Sequence, residues 1–236
     1  MEESTFPMRI NKYLALKKYS TRRGADEIIR KKQVFINGRL AVLGDKVQAS
    51  DKVEVKFRGK PPALVYYAFN KPKGMAITGE KSEPREEDEE PDPLEGGFPI
   101  GALDKESYGL MLITNDGRLT ERLLSPKYMH EKEYIVFTRD KIRSNFKQKM
   151  EAGVEIDGVL TKKCRVHLID DNAFRVIFSD EKRHQLRRMC AELFQEIRYI
   201  ECVRIMNIAL GNLKEGARRE IKGEELALFL KKLGLD

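Results

Sequence analysis

The chain has 236 residues, 41% of them hydrophobic, enough for a buried core and for one large domain beside a small one. Its formal net charge of +7 favours a polyanionic partner, and residues 1–60 hold 15 Lys and Arg against 7 Asp and Glu. No stretch approaches the ~18 apolar residues of a membrane helix and the start shows no leader pattern, so a soluble, cytoplasmic protein is expected.

In chain order, Ile10, Tyr13, Leu14 and Leu16 form a helical stripe. Ser20 or Thr21 is placed to cap a second helix whose apolar face is Ala25, Ile28 and Ile29. The period then changes to two. Val34-Phe35-Ile36 is a strand entering an Asn37-Gly38 turn, and Val47, Val53 and Val55 alternate in a second strand region. Arg9, Lys12, Arg22, Arg23, Lys31 and Lys32 lie on or beside the helices, dense enough for a surface that tracks phosphates. The helix–helix–hairpin order, with "RINKYLA", "STRRGADEIIRKKQVFINGR" and "GDKV", resembles the ribosomal protein S4-like RNA-binding domain. That resemblance implies structured RNA read by shape and backbone contact.

Arg58 to Pro62 is the expected linker, dividing residues 1–60 from 61–236. Leu64 to Phe69 is a strand ending in a turn over residues 70–74, and the acidic, Pro- and Gly-rich residues 80–97 form a mobile loop. Strand and helix signals then alternate. Leu110–Ile113 is a strand, Asn115-Asp116-Gly117 a turn, Leu119–Leu124 a helix start and Glu133–Phe137 a strand. Residues 141–151 read as a helix, Cys164–Ile169 and Phe174–Phe178 as paired strands. Gln185–Leu193 is helical, Ile205–Leu210 a strand and Glu224–Leu233 a closing helix, which makes the class α+β.

Several chemistries drop out. There is no GxxxxGK[ST] phosphate loop, HExxH or GxSxG, and His130, His167 and His184 have no ligand-like spacing. Cys164, Cys190 and Cys202 are odd in number and lack CxxC spacing, so they read as reduced packing residues and not as a zinc or disulfide set. What remains is Asp104, Tyr134 and the pair Arg187-Arg188. Taken singly, Asp104 reads as a turn or helix-cap acid, Tyr134 as a sheet-core tyrosine and Arg187 as a solvated helix residue.

Their joint context is more specific. "FPIGALDKESYGLMLITNDGRL", "NKPKGM", "HEKEY" and "EKRHQLRRM" resemble, in order, the motifs of RNA pseudouridine synthases. With the N-terminal module, the chain is similar to the branch of the ribosomal small-subunit synthase A type, and "HEKEY", "LTKKCRV" and "VRIMN" most resemble its 23S rRNA synthase F type. The resemblance implies a catalytic domain with a central mixed, mainly antiparallel sheet and flanking helices. It implies isomerisation of uridine to pseudouridine in ribosomal RNA, in 23S rRNA above all or in a large-subunit assembly intermediate, by a monomer without cofactor or metal.

By the same resemblance Asp104 is the reagent, as nucleophile or base, Arg187 its cationic partner, and Tyr134 the residue that stacks on the flipped base. Lys71 and Pro72 shape the strand end beneath the tyrosine, Leu186 walls the uracil pocket, and Lys132 and Arg188 meet the substrate. One position departs: the family carries Arg before the Leu-Asp pair where this chain has Ala102, a loss expected to weaken extrusion of the base. That departure is the main support for a rival reading, a non-catalytic RNA-binding ribosome-assembly factor that keeps the fold.

Overall fold

The computed structural model describes residues 6–17, 19, 22–56, 63–75, 97–101, 103–124, 128, 130–179 and 184–235, the side chains of Arg23, Thr120, Glu121 and Leu124 apart. The expected linker at Arg58–Pro62, the Ser20/Thr21 cap and Ala102 lie outside these residues, as does nearly all of the acidic stretch 80–97.

The N-terminal elements are β1 (Met8–Arg9), α1 (Ile10–Leu16), α2 (Arg22–Arg30), β2 (Val34–Ile36), β3 (Arg39–Leu40), β4 (Lys46–Val47) and β5 (Val53–Val55). Their period-3.6 and period-2 stripes converge on a small core of Ile10, Leu14, Ala25, Ile29, Val34, Ile36 and Val47. Asn37 (φ 50°) and Gly38 (φ 81°) make the left-handed turn that closes β2 onto β3.

The rest of the chain runs β6 (Tyr66–Lys71), β7 (Phe98–Ile100), β8 (Tyr108–Thr114), α3 (Gly117–Leu124), β9 (Lys132–Thr138) and α4 (Phe146–Ala152). It continues through β10 (Glu155–Ile156), β11 (Val159–Leu160), β12 (Arg165–Asp170), β13 (Ala173–Phe178) and α5 (Gln185–Glu192). It ends with β14 (Ile197–Ile205), β15 (Ile208–Ala209), β16 (Arg218–Glu220) and α6 (Gly223–Lys232). Among the described residues nine strands form one sheet in the order β12-β13-β9-β14-β8-β6-β16, with β7 on β8 and β15 on β14. Only the β14–β8 pair among them is parallel, so the sheet is mixed and mainly antiparallel. α3, α4, α5 and α6 bury Leu119, Phe146, Met189 and Phe229 in the large core on one face, while Phe69, Met111 and Ile113 form a smaller cluster.

Three sequence expectations are corrected here. The helix expected over 141–151 begins only at Phe146, because the Ile142 amide donates to the Asp171 carbonyl at 2.7 Å and ties this segment to the β12–β13 turn. The strand expected over 205–210 is the end of β14 followed by a fold-back, since Met206 takes φ 55° and β15 returns onto β14. The turn expected over 70–74 starts later, because Asn70 and Lys71 still pair with Leu110 and Gly109. β14, the longest strand, has no counterpart in the pattern reading of residues 197–204. Register shifts at Ile197/Tyr199 and Cys202/Arg204 break its alternation.

Candidate active site

The sheet assembles the site by lining up distant segments. Val176, Tyr134, Cys202, Gly109 and Lys71 are successive register partners across β13, β9, β14, β8 and β6. Gly109 is the tight point of this row. It takes φ 96°, and a Cβ there would lie 2.4 Å from the Cys202 carbonyl oxygen, so β14 and β8 meet only because the side chain is absent. Immediately before Gly109, the loop Leu103–Ser107 crosses the end of the sheet and carries Asp104.

Lys71 anchors that loop from below. Its side chain is fully buried, and Nζ donates to the carbonyls of Ser107 (2.6 Å), Pro72 (3.0 Å) and Lys105 (3.4 Å). Burial lowers its pKa, with Asp104 and Glu106 pulling the other way. The Gly74 amide donates to the Lys105 carbonyl at 2.8 Å, tying the turn after β6 to the same loop. Lys71 therefore meets the backbone under Asp104.

Ser107 joins the parts. Its amide donates to Asp104 Oδ1 at 2.7 Å, its carbonyl takes Lys71, and its hydroxyl accepts from Arg187 Nη2 at 3.3 Å. From α5, Arg187 Nε donates to Asp104 Oδ2 at 2.8 Å and Nη2 to Oδ1 at 3.3 Å, a two-point ion pair. The two side chains stay 23% and 29% exposed, so the carboxylate keeps a side open to solvent. Partial burial pushes the Asp104 carboxyl up, but hydrogen bonds from Arg187 and Ser107 outweigh it and hold the pKa at about 2. The acid is ionised throughout the neutral range.

The other expected residues are more scattered. Tyr134 is 5% exposed and shares the large core with Leu186 and Met189, so in this conformation its ring is nearly covered. Arg188 turns away from Asp104 and pairs with Asp157 in the β10–β11 turn. Lys132 opens β9 and is half-buried, while Pro72 follows Lys71 at the end of β6. In the N-terminal module Arg9, Arg22, Lys31 and Lys32 are exposed and Lys12 is half-buried.

Two neighbours of Asp104 escaped the sequence reading. His184 Nδ1 lies 3.8 Å from Asp104 Oδ2, although its spacing from other histidines carried no signal. Ser107 had one: an acid followed three residues later by a hydroxyl residue is a self-capping turn. Among the described residues no group of three or more His, Cys, Asp and Glu could hold a metal ion. Cys164, Cys190 and Cys202 are buried free thiols, and burial raises the first two to about 12.

A crossed mixed sheet with a guanidinium-paired aspartate at its end defines a class, and comparison with known proteins identifies it. Residues 65–192 match the family described as RNA pseudouridylate synthase, and residues 8–53 match the S4 domain. The dual-specificity RNA pseudouridine synthase RluF of Salmonella typhi is 39% identical over 222 residues, 92% of this chain and 77% of that protein. The ribosomal small subunit pseudouridine synthase A of Pasteurella multocida is 31% identical over 232 residues, 95% of this chain and 100% of that protein. A crystal structure of a pseudouridylate synthase aligns with a TM-score of 0.65 at 25% identity, covering 96% of this chain and 99% of that one. The chain belongs to the RNA pseudouridylate synthase family and carries an S4 domain ahead of the catalytic one. Among the described residues no helix is long and apolar enough to cross a membrane.

Proposed function

We propose that this enzyme isomerises uridine in ribosomal RNA, in 23S rRNA or a large-subunit assembly intermediate, with Asp104 as the reagent. It acts in this reading as a cytoplasmic monomer, with residues 1–60 holding RNA phosphates through Arg9, Lys12, Arg22, Arg23, Lys31 and Lys32, and residues 61–236 performing the chemistry. The observation that carries it is the Asp104–Arg187 pair, a carboxylate held ionised and oriented yet still reachable from solvent.

The reaction breaks the bond between the sugar and uracil N1, turns the base, and joins the sugar to C5. C5 gives up a proton and N1 gains one, so substrate and product are isomers and no electrons are exchanged. An ionised carboxylate serves this in two ways: by attacking the anomeric carbon or ring C6, or by removing the 2′ proton to leave a glycal. Both routes need the form that Arg187 and Ser107 maintain. Lys71 and Ser107 set the height and angle of the loop, and Leu186 and Tyr134 supply the apolar wall for an extruded base. Extrusion costs a few kcal/mol, which the phosphate contacts of the N-terminal domain help to offset.

Asp104→Asn keeps the size and most hydrogen bonding of the side chain. It should abolish pseudouridine formation in 23S rRNA while leaving RNA affinity within about twofold; turnover near the wild-type rate would remove Asp104 from the chemistry.

A further inference from the structure

Phe194 occupies an unfavourable position on two counts. It sits just past α5, where the Gln195 amide donates to the Cys190 carbonyl (2.8 Å) and the Phe194 amide to the Ala191 carbonyl (2.9 Å), a helix ending that calls for Gly in the left-handed position. Phe194 adopts that conformation, φ 56°, with the steric cost a β-carbon brings there. Its ring recovers little of this by burial, being 78% exposed.

The segment is held firmly. Gln195 is buried and donates from Nε2 to the Asp140 carbonyl at 3.0 Å, and the Arg139 amide donates to the Glu196 carbonyl at 3.0 Å. The phenyl ring is thus presented outward by a pinned turn. A backbone outlier that leaves an aromatic ring in water points to a use outside the fold.

Its surroundings select the partner. Arg143 lies over the ring at 5.6 Å from the centroid. The adjoining segment 139–149 has five Lys and Arg against one Asp. Arg139 is paired with Glu196 and Lys141 with Asp171, whereas among the described residues no carboxylate pairs with Arg143, Lys147 or Lys149, all exposed. An exposed ring beside uncompensated cations is the composition of a single-strand nucleic-acid contact. Phe194 lies seven positions after Arg187, about 10 Å along the helix axis, so both can meet one RNA strand.

We propose that Phe194 and Arg143 form an auxiliary RNA contact, in which an unpaired base stacks on the phenyl ring and the guanidinium holds a neighbouring phosphate. It rests on the reading that this chain takes RNA into the Asp104 site.

The test is anisotropy titration of the full chain with a fluorescein-labelled 12-nucleotide oligouridylate, alongside thermal melting. Phe194→Ala should raise Kd about tenfold, the size of one lost base stack, while Phe194→Trp should hold it within twofold. Phe194→Gly should weaken binding as Ala does and yet raise Tm by about 2–4 °C, because the left-handed strain is relieved. Arg143→Gln should flatten the log–log salt slope by about 0.7. Wild-type affinity in Phe194→Gly, or loss in Phe194→Trp equal to that in Ala, overturns the contact. The titration reads binding alone. A wild-type chain that forms no pseudouridine in 23S rRNA would sink the Asp104 reading and leave this contact to stand or fall on its Kd values.

Discussion

β8 carries an aspartate beyond each end, and the two sit in opposite settings. Asp116, after the strand, is 1% exposed and accepts from Tyr66 Oη (2.8 Å), Arg118 Nε (2.8 Å), Arg118 Nη2 (2.6 Å) and the Arg118 amide (3.1 Å). Arg118 continues to the Leu235 carbonyl, so this carboxylate clamps β6, α3 and the C-terminal end together. Asp104, before the strand, also has a guanidinium partner and takes further hydrogen bonds from the amide and side chain of Ser107, yet it stays 23% exposed. Burial opposes ionisation at both, and hydrogen bonds from arginine lower both pKa values nonetheless. The lesson is that a depressed pKa does not separate the proposed reagent from a strut. The open side does.

The comparison breaks most readily at Asp116. Asp116→Asn leaves Arg118, 12% exposed, without its counter-charge, and should cost about 3–5 kcal/mol, lowering Tm by about 10 °C or more. Asp104→Asn should move Tm by less than about 3 °C, because Arg187 can turn to water. Equal melting shifts in the two variants would dissolve the distinction.

A smaller effect is expected at Arg187. Arg187→Gln should reduce single-turnover rates about a hundredfold, the loss typical of one aimed charged donor. It should also raise the acid limb of the pH–rate profile by about 1 unit, since the Asp104 carboxyl then returns from about 2 toward 3.8. The sign carries to stability as well. A folded-state pKa below the unfolded one gives stability that is present above pH 3.8 and lost as pH falls toward 2, and Arg187→Gln should shrink that acid-side loss in urea titrations.

Ser107 should give the smallest change. Ser107→Ala keeps the amide and carbonyl contacts but loses the hydroxyl that takes Arg187, so a rate loss of about tenfold is expected, with Ser107→Thr restoring most of it. A Thr variant as slow as Ala would show that the hydroxyl does not position the pair.

The two aspartates also measure how much of the molecule was legible in sequence. Asp116 stands beside Gly117 and Asp104 three residues after Gly101, and pattern alone assigns both to turns. Only the quoted motif singled out Asp104, and nothing marked Asp116 as buried, because its partner Tyr66 and the Leu235 carbonyl that Arg118 reaches are remote along the chain. Elements with an unbroken local period, such as α2, β8, β13 and α5, were readable where they stand. β14 was not: its bulges scramble the alternation, and its place between β8 and β9 is set by Gly109 and Cys202 in three dimensions. Lys71 was singled out only by its motif, since pattern alone sends a lysine at a strand end to water and this one is satisfied by three carbonyls.

The position of β14 also bears on when the protein becomes active during synthesis. β8 and β9 leave the ribosome in sequence, but they do not touch each other as neighbours: the strand between them ends at Ile205. The small core of the N-terminal domain closes far earlier, with residues no later than Val55. A growing chain can therefore hold RNA through its first domain while the row from Lys71 to Tyr134 still lacks its middle member, and chemistry waits until nearly the last strand has been made.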